Sequence, residues 1–229
     1  MFSRILRCLF PPAAPATLSS LDAYQRWAAA YPPHAHNALM QAEEAAMRAL
    51  FPPMAGKVVL DLACGTGRYG LLAGAAGAQT VIGLDNSAAM LHQNALPLLA
   101  LATSEAIPLA GESVDVVLCG LALGHLPHLL PSIAEISRVL KPGGYALISD
   151  FHPFIFLNGQ RRTFTAPDGK TYAVEHYAHL YADFHAAGRD AGLQVEEVLE
   201  PRLGQDAEVR FAGERLPGTP VIIAYRLRK

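Results

Sequence analysis

Val58-Val59-Leu60-Asp61-Leu62-Ala63-Cys64-Gly65-Thr66-Gly67 runs an apolar stretch into an acidic residue and then into a glycine turn. Val58 to Leu60 read as a buried strand, and the small residues Ala63, Gly65 and Gly67 let the backbone turn tightly and approach a ligand closely. The helix that follows, through Leu71, Leu72 and Ala76, ends at Gly77, a residue suited to the left-handed position that closes a helix. Strand, turn and helix together read as a nucleotide-handling loop. Two versions of such a loop compete. Gly65-Thr66-Gly67-Arg68-Tyr69-Gly70 fits G-x-G-x-x-G, with Asp85 about 20 residues on, as a dinucleotide site requires. Asp61, just ahead of the turn, and the stretches downstream point elsewhere.

Thr80 to Leu84 form a second apolar strand that ends in Asp85, and Val114-Asp115-Val116-Val117-Leu118-Cys119-Gly120 form another. Glu135 to Gly144 reads as a helix closed by a proline-glycine turn, from which the chain returns as the strand Tyr145 to Asp150. The set is D-x-x-C-G-T-G at Asp61, a strand-end acid at Asp85, E-A-x-P at Glu105, V-D-x-V at Val114 and R-V-L-K-P-G-G at Arg138. In that order over residues 57–150 the chain resembles the class I S-adenosylmethionine-dependent methyltransferases, specifically their type 11 branch. The resemblance implies an α/β fold with a Rossmann-like seven-stranded, mostly parallel sheet in the order 3-2-1-4-5-7-6, the last strand antiparallel, flanked by helices. It implies S-adenosylmethionine as cofactor and methyl transfer to oxygen or carbon of a small-molecule acceptor. Within the branch the chain looks similar to enzymes that methylate a malonyl carrier-protein ester and to quinone C-methyltransferases. A non-catalytic S-adenosylmethionine-binding protein and an NAD-dependent oxidoreductase are the alternatives.

The cofactor offers an ammonium, a carboxylate, two ribose hydroxyls and an adenine ring, and each wants a different partner. Asp61 can accept from the ammonium, and Ala63, Gly65 and Gly67 leave room for the methionyl backbone. Asp85 offers acceptors for the ribose hydroxyls, while Asn86 and Met90 stand where they can flank the adenine. Leu121, after the fourth strand, is the remaining cofactor contact the resemblance implies. The family pattern G-D-A-E-A-L-P here reads Ala102-Thr103-Ser104-Glu105-Ala106-Ile107-Pro108, with Thr103 in place of the aspartate. Adenine recognition is therefore expected from the backbone around Ser104, Glu105 and Ala106. His125 and His152 each follow a strand end, where such sheets put their chemistry, and are the candidate catalytic residues; packing or loop hydrogen bonding is the plainer reading of both.

Ahead of the core, Leu21, Tyr24, Ala28 and Tyr31 fall at helical spacing, Pro32-Pro33 break the helix, and Asn37 can cap the next, which carries Leu39, Met40, Glu43, Met47 and Leu50. Residues 1–52 are thus read as a leader, mobile over residues 11–18, and an N-terminal helical arm. By resemblance Tyr24 or Tyr31 reaches the sulfonium, which an aromatic face attracts; simple packing is the other reading. Residues 53–150 form the cofactor-binding core.

Residues 151–229 are read as an acceptor-site insert and the completion of the sheet. Asn158-Gly159 and Asp168-Gly169 are turn signals between Phe154 to Leu157, Arg161 to Thr165 and Thr171 to His176, read as a small β-hairpin insert. Its aromatic load suits an aromatic or acyl acceptor, or else forms a satellite core. Arg161-Arg162 are read as a solvated loop in preference to an anion clamp. Ala178 to Ala191 reads as a helix closed by Gly192, and Leu193 to Leu199 and Val221 to Leu227 as the final strands.

With 229 residues, 52% hydrophobic and 17% charged, the chain can bury a sizeable core. A formal net charge of −2 leaves no footprint for nucleic acid. Cys8, Cys64 and Cys119 lie far apart with no metal spacing, which suits a reducing compartment, and the histidines at 152, 176, 179 and 185 match no metal signature. No run approaches a membrane span, and the cytoplasm is the expected location.

Overall fold

The computed structural model describes residues 14–202, 210–211, 214–215 and 218–229. The chain enters through a short strand, β1 (Thr17–Leu18), and helix α1 (Ser20–Trp27), whose N-cap Ser19 accepts from the Asp22 amide. Helix α2 (Ala38–Ala49) starts where Asn37 accepts from the Met40 amide. These side chains satisfy amide groups that a helix start otherwise leaves without partners.

The core then alternates strand and helix: β2 (Val58–Leu62), α3 (Arg68–Ala75), β3 (Thr80–Asp85), α4 (Ala88–His92), β4 (Leu98–Leu101), β5 (Val114–Gly120), α5 (Leu130–Val139) and β6 (Leu140–Phe151). After an insert made of α6 (Pro153–Leu157), β7 (Thr163–Thr165) and β8 (Thr171–Val174) come α7 (Tyr181–Asp190), β9 (Gln194–Leu199), a small antiparallel pair β10 (Arg210–Phe211) and β11 (Glu214–Arg215), and β12 (Ile222–Arg228). The main sheet has seven strands in the order β4-β3-β2-β5-β6-β12-β9. Pairing is parallel from β4 through β6, and β12 runs antiparallel to both of its neighbours. In chain order of the sheet strands this is the expected 3-2-1-4-5-7-6.

Side chains alternate across the sheet, as the two-residue period of a strand demands. Leu60, Val117, Ile148 and Tyr225 pack with Ile133 and Ile136 of α5 and Phe184 of α7 on one face. Val59, Leu118, Leu147 and Ala224 pack with Met47 of α2 and Tyr69 and Ala73 of α3 on the other. Burial on both faces explains why the parallel strands read as continuous apolar runs.

The insert departs from the expected hairpin at its first segment. Phe154 to Leu157 belong to helix α6, because Pro153 occupies the first turn, where its missing N–H costs nothing, and His152 accepts from the Phe154 amide as N-cap. The hairpin proper is β7 and β8, with Phe164 opposite Tyr172 and Gly169 in the turn at φ +77°. The residues expected as a mobile leader also differ: Thr17 and Leu18 pair in parallel with Ala173 and Val174, making a three-stranded sheet β1-β8-β7. Leu18 and Trp27 pack there against Ala23, Phe164 and Val174. Arm and insert are therefore one structural unit. The basic, apolar start of the chain with Cys8, and Gly204, Gly213 and Pro217 of the late loop, lie outside the described residues. Among the described residues no helix is long and apolar enough to cross a membrane.

Candidate functional site

The turn after β2 is held in a conformation that only certain residues allow. Gly65 and Gly67 have φ of +52° and +93°, and a Cβ at Gly67 would stand 2.5 Å from Asn94 Oδ1. A Cβ at Gly70 would meet Leu96 Cδ1 at 2.4 Å, so glycine is what lets α3 settle against this neighbourhood. Asn94 ties the turn down by donating to the Gly65 carbonyl at 2.9 Å. Two non-glycine residues, Ala63 at φ +54° and Leu121 at φ +57°, are also left-handed, and they sit at the ends of the adjacent strands β2 and β5. Such strain, of order 1–3 kcal/mol per residue, gathers where a fold builds a site.

Beyond these strand ends lies an open-mouthed cleft with a cavity volume of about 120 Å³. Two carboxylates form its floor. Asp61, 1% exposed, accepts from the Gly70 amide at 2.7 Å. Burial pushes its pKa up to about 7, against the pull of that amide and of Arg68. Asp85 accepts from the Gly65 amide and from the Ser87 amide, each at 2.8 Å, and burial raises its pKa as well. The side chain at Asp85 thus fixes the glycine turn and the start of α4 together.

The roof comes from the arm and the insert. Burial holds the Tyr24 phenol protonated, and its hydroxyl lies 3.2 Å from His125 Nε2. His125 Nδ1 donates to the Glu175 carbonyl at 2.7 Å, since a carbonyl can only accept, which leaves Nε2 as an acceptor. Tyr24 and Arg162 Nη1, also at 3.2 Å, both donate to it. Burial and the neighbouring guanidinium push the His125 pKa down to about 3, so the ring is neutral. Tyr31 packs edge-on against Tyr24 at 6.1 Å between centroids. Behind the cleft, Glu43, fully buried in α2, pairs with Arg68 at 2.6 Å and accepts from Tyr69 and Ser149, tying α2 to α3 and β6.

Of the residues singled out in the sequence, Tyr24, Tyr31, Asp61, Ala63, Gly65, Asp85, Asn86, Met90, Ser104, Leu121 and His125 line this cleft. Gly67, Glu105 and Ala106 do not; Gly67 faces Asn94, and Thr103 and Ala106 bridge one another. His152 is also away from it. It is fully buried, with Nδ1 taken by the Phe154 amide and Nε2 beside Tyr181 and Glu200, an arrangement that caps α6. Arg162 corrects the solvated-loop expectation, because it lines the cleft and stands over the Tyr24 ring. Arg68 and Tyr69 are further lining residues that sequence reasoning missed. Glu43 was their signal: an acid on the apolar face of a helix requires a buried partner. His176 bonds Asp150 and His179 the Leu126 carbonyl; among the described residues no three His, Cys, Asp or Glu converge to hold a metal.

A family model described as "Methyltransferase domain" matches residues 60–148. The ubiquinone biosynthesis O-methyltransferase of Thiobacillus denitrificans is 32% identical over 166 residues, covering 64% of this chain and 68% of that protein. The malonyl-[acyl-carrier protein] O-methyltransferase of Methylococcus capsulatus is 36% identical over 136 residues, covering 56% of this chain and 48% of the relative, so the chain spans about half of that protein's length. Among solved structures, an S-adenosylmethionine-dependent methyltransferase from Mesorhizobium loti superposes with a TM-score of 0.67 at 21% identity, covering 82% of this chain and 98% of that one. At that identity the likeness concerns the fold alone.

Proposed function

The chain belongs to the methyltransferase-domain family of class I S-adenosylmethionine-dependent enzymes, and on that footing we propose that it transfers a methyl group from S-adenosylmethionine to oxygen or carbon of a small-molecule acceptor. One observation carries the reading: two buried carboxylates at the ends of adjacent strands flank the Gly65 turn, under a roof of tyrosines, in a single cleft. The chemistry of that donor set fits the cofactor. Asp61 suits the ammonium, Asp85 the ribose hydroxyls, and Met90 and Ser104 the adenine side. The cofactor supplies an electrophilic methyl group on a sulfonium, and the chain supplies binding, orientation and exclusion of water.

Positioning supplies much of the rate in such a displacement, since holding reacting atoms in a near-attack geometry is worth roughly 7–11 kcal/mol. Tyr24 and Tyr31 are proposed to face the sulfonium and shed water from it. His125 is proposed to orient the acceptor. With its pKa pushed down to about 3 it is a poor proton acceptor near neutrality, and its Nε2 already receives Tyr24 and Arg162. His152 is proposed to be structural. Calorimetric titration with S-adenosylmethionine, S-adenosylhomocysteine and NAD tests the cofactor assignment. Transfer of labelled methyl to acyl, quinone and phenolic acceptors tests the reaction. Binding of NAD in place of the sulfonium cofactor would overturn the proposal.

A further inference from the structure

S-Adenosylmethionine carries its ammonium and its carboxylate on one carbon, so a site for it needs a negative and a positive partner close together. Asp61 answers the ammonium, and the carboxylate still wants a cation. Among the described residues two arginines line the cleft, Arg68 and Arg162. Arg68 is already engaged. Its Nη2 lies 2.6 Å from Glu43 and its Nη1 3.6 Å from Glu44, and Nη1 is sealed from solvent. An anion could reach that guanidinium only by displacing a buried carboxylate from it. His125 is no substitute, because its ring is neutral and Nε2 serves as an acceptor.

Arg162, half-buried just ahead of β7, differs from Arg68 on each count. Its Nη1 donates to the Leu121 carbonyl and to His125 Nε2, each at 3.2 Å, while Nη2 and Nε have no hydrogen-bond partner among the described residues. Among the described residues it pairs with no carboxylate. The rings of Tyr24 and Phe151 flank it, with centroids 5.4 Å and 5.2 Å from the guanidinium carbon. Leu121, which anchors it, follows β5, and Leu118 of that strand stands beside Asp61 in the sheet. The free guanidinium and the ammonium-facing carboxylate therefore belong to neighbouring strand ends of one cleft. A cation drawn out of water without a counter-charge is costly, and an anion that meets it relieves that cost. The two unused nitrogens offer donors in a fixed fork that matches a carboxylate. Resting on the methyl-transfer reading above, we infer that Arg162 is the partner of the cofactor's methionyl carboxylate, so that Asp61 and Arg162 between them recognise the amino-acid head. The contact would come from the insert, not from the strand-and-turn core that holds the rest of the cofactor.

The test is calorimetric, on the full chain, with three ligands. S-Adenosylhomocysteine has the whole head, its carboxamide keeps the ammonium but loses the negative charge, and 5′-methylthioadenosine lacks the head altogether. The unmodified protein is expected to bind S-adenosylhomocysteine at least about tenfold tighter than the carboxamide, as loss of a charge-assisted contact implies. Arg162→Gln should bring the two within about threefold of each other while leaving 5′-methylthioadenosine within about threefold of its original affinity, and Arg162→Lys should fall between. Equal binding of acid and carboxamide by the unmodified protein overturns the inference without recourse to any variant. A preference that survives Arg162→Gln assigns the carboxylate to another group, and an equal loss for all three ligands reduces Arg162 to a support for Leu121 and His125; either result overturns it. Should Arg162→Gln fail to fold by circular dichroism, the lysine variant decides, with a reduced preference supporting the inference and an unchanged one refuting it. Binding of none of the three ligands by the unmodified chain would instead sink the cofactor reading, and the inference with it.

Discussion

Asp61→Asn should make the cofactor-free protein more stable and the cofactor weaker-bound. In the folded chain burial pushes the Asp61 pKa from 3.8 up to about 7, so the native state holds a proton there that the unfolded chain has lost. The folded pKa lies above the unfolded one, so the charged form is penalised by folding. The cost is absent below about pH 4, grows as pH rises and is complete above about pH 7. A displacement of that size corresponds to at most about 4 kcal/mol. Asparagine keeps an oxygen for the Gly70 amide and carries no charge, so we expect about half of that, ~2 kcal/mol, to be recovered at pH 8 after relaxation. For a chain of this size that is a rise in Tm of about 4–8 °C, shrinking toward pH 4. Binding should move the other way. An ammonium on a buried carboxylate is a charge-assisted contact worth roughly 1.5–3 kcal/mol, so affinity for S-adenosylmethionine should fall at least about tenfold, and wild-type affinity should itself weaken below pH 7. Thermal melts at pH 5 and pH 8, with calorimetry at the same values, measure both effects. Parallel melts for the two proteins, or binding unchanged within twofold, would refute the assignment of Asp61 as a buried, cofactor-facing carboxylate.

Asp85→Ala should weaken S-adenosylmethionine at least about tenfold, because the ribose loses its acceptor and the Gly65 and Ser87 amides lose theirs; calorimetry showing unchanged affinity would move the ribose elsewhere. Glu43→Ala leaves Arg68 without its partner in the interior and should cost about 3–5 kcal/mol in denaturant unfolding, and a loss under about 1 kcal/mol would show the pair to be dispensable. Removing residues 1–36 should leave the seven-stranded sheet folded by circular dichroism, since its first strand begins at Val58, yet sharply reduce turnover by taking away Tyr24 and Tyr31. Full turnover by the truncated chain would strike both tyrosines from the site.

The floor of the cleft was legible because its residues are neighbours in sequence. Asp61 to Gly70 form one strand, turn and helix, and Asp85 to Met90 the next, so an apolar run ending in an acid already locates each carboxylate. The roof was legible only in part, because its contacts join Tyr24 to His125 and Arg162 to Leu121 across long stretches of chain. Arg162 carries no local mark that separates a solvated loop residue from one folded beneath an aromatic ring. His152 shows the other side of this: a strand-end histidine left catalysis and packing both open in the sequence, and Tyr181 and Glu200, distant in sequence, hold its ring away from the cleft. Phe154 to Leu157 form an apolar run too short for periodicity to separate strand from helix, and the preceding proline decided the matter. Thr17 and Leu18 form a strand only because β8 offers an edge.

That last pairing bears on how the cleft opens. Tyr24 belongs to α1 and Arg162 to the approach of β7, yet the two segments share the small sheet β1-β8-β7 and a common apolar cluster around Phe164. The Trp27 ring stacks on Phe164 at 4.9 Å, so the arm cannot lift without uncovering the hairpin. Opening by the arm alone would break the β1 pairing, the Trp27 stack and the Tyr24–His125 contact together. Moving arm and hairpin as one body keeps the first two and releases contacts to the core, the Tyr24–His125 contact and the Thr66–Pro32 hydrogen bond among them, which is the less costly route. Tyr24 and Arg162, which both line the cleft, then move together.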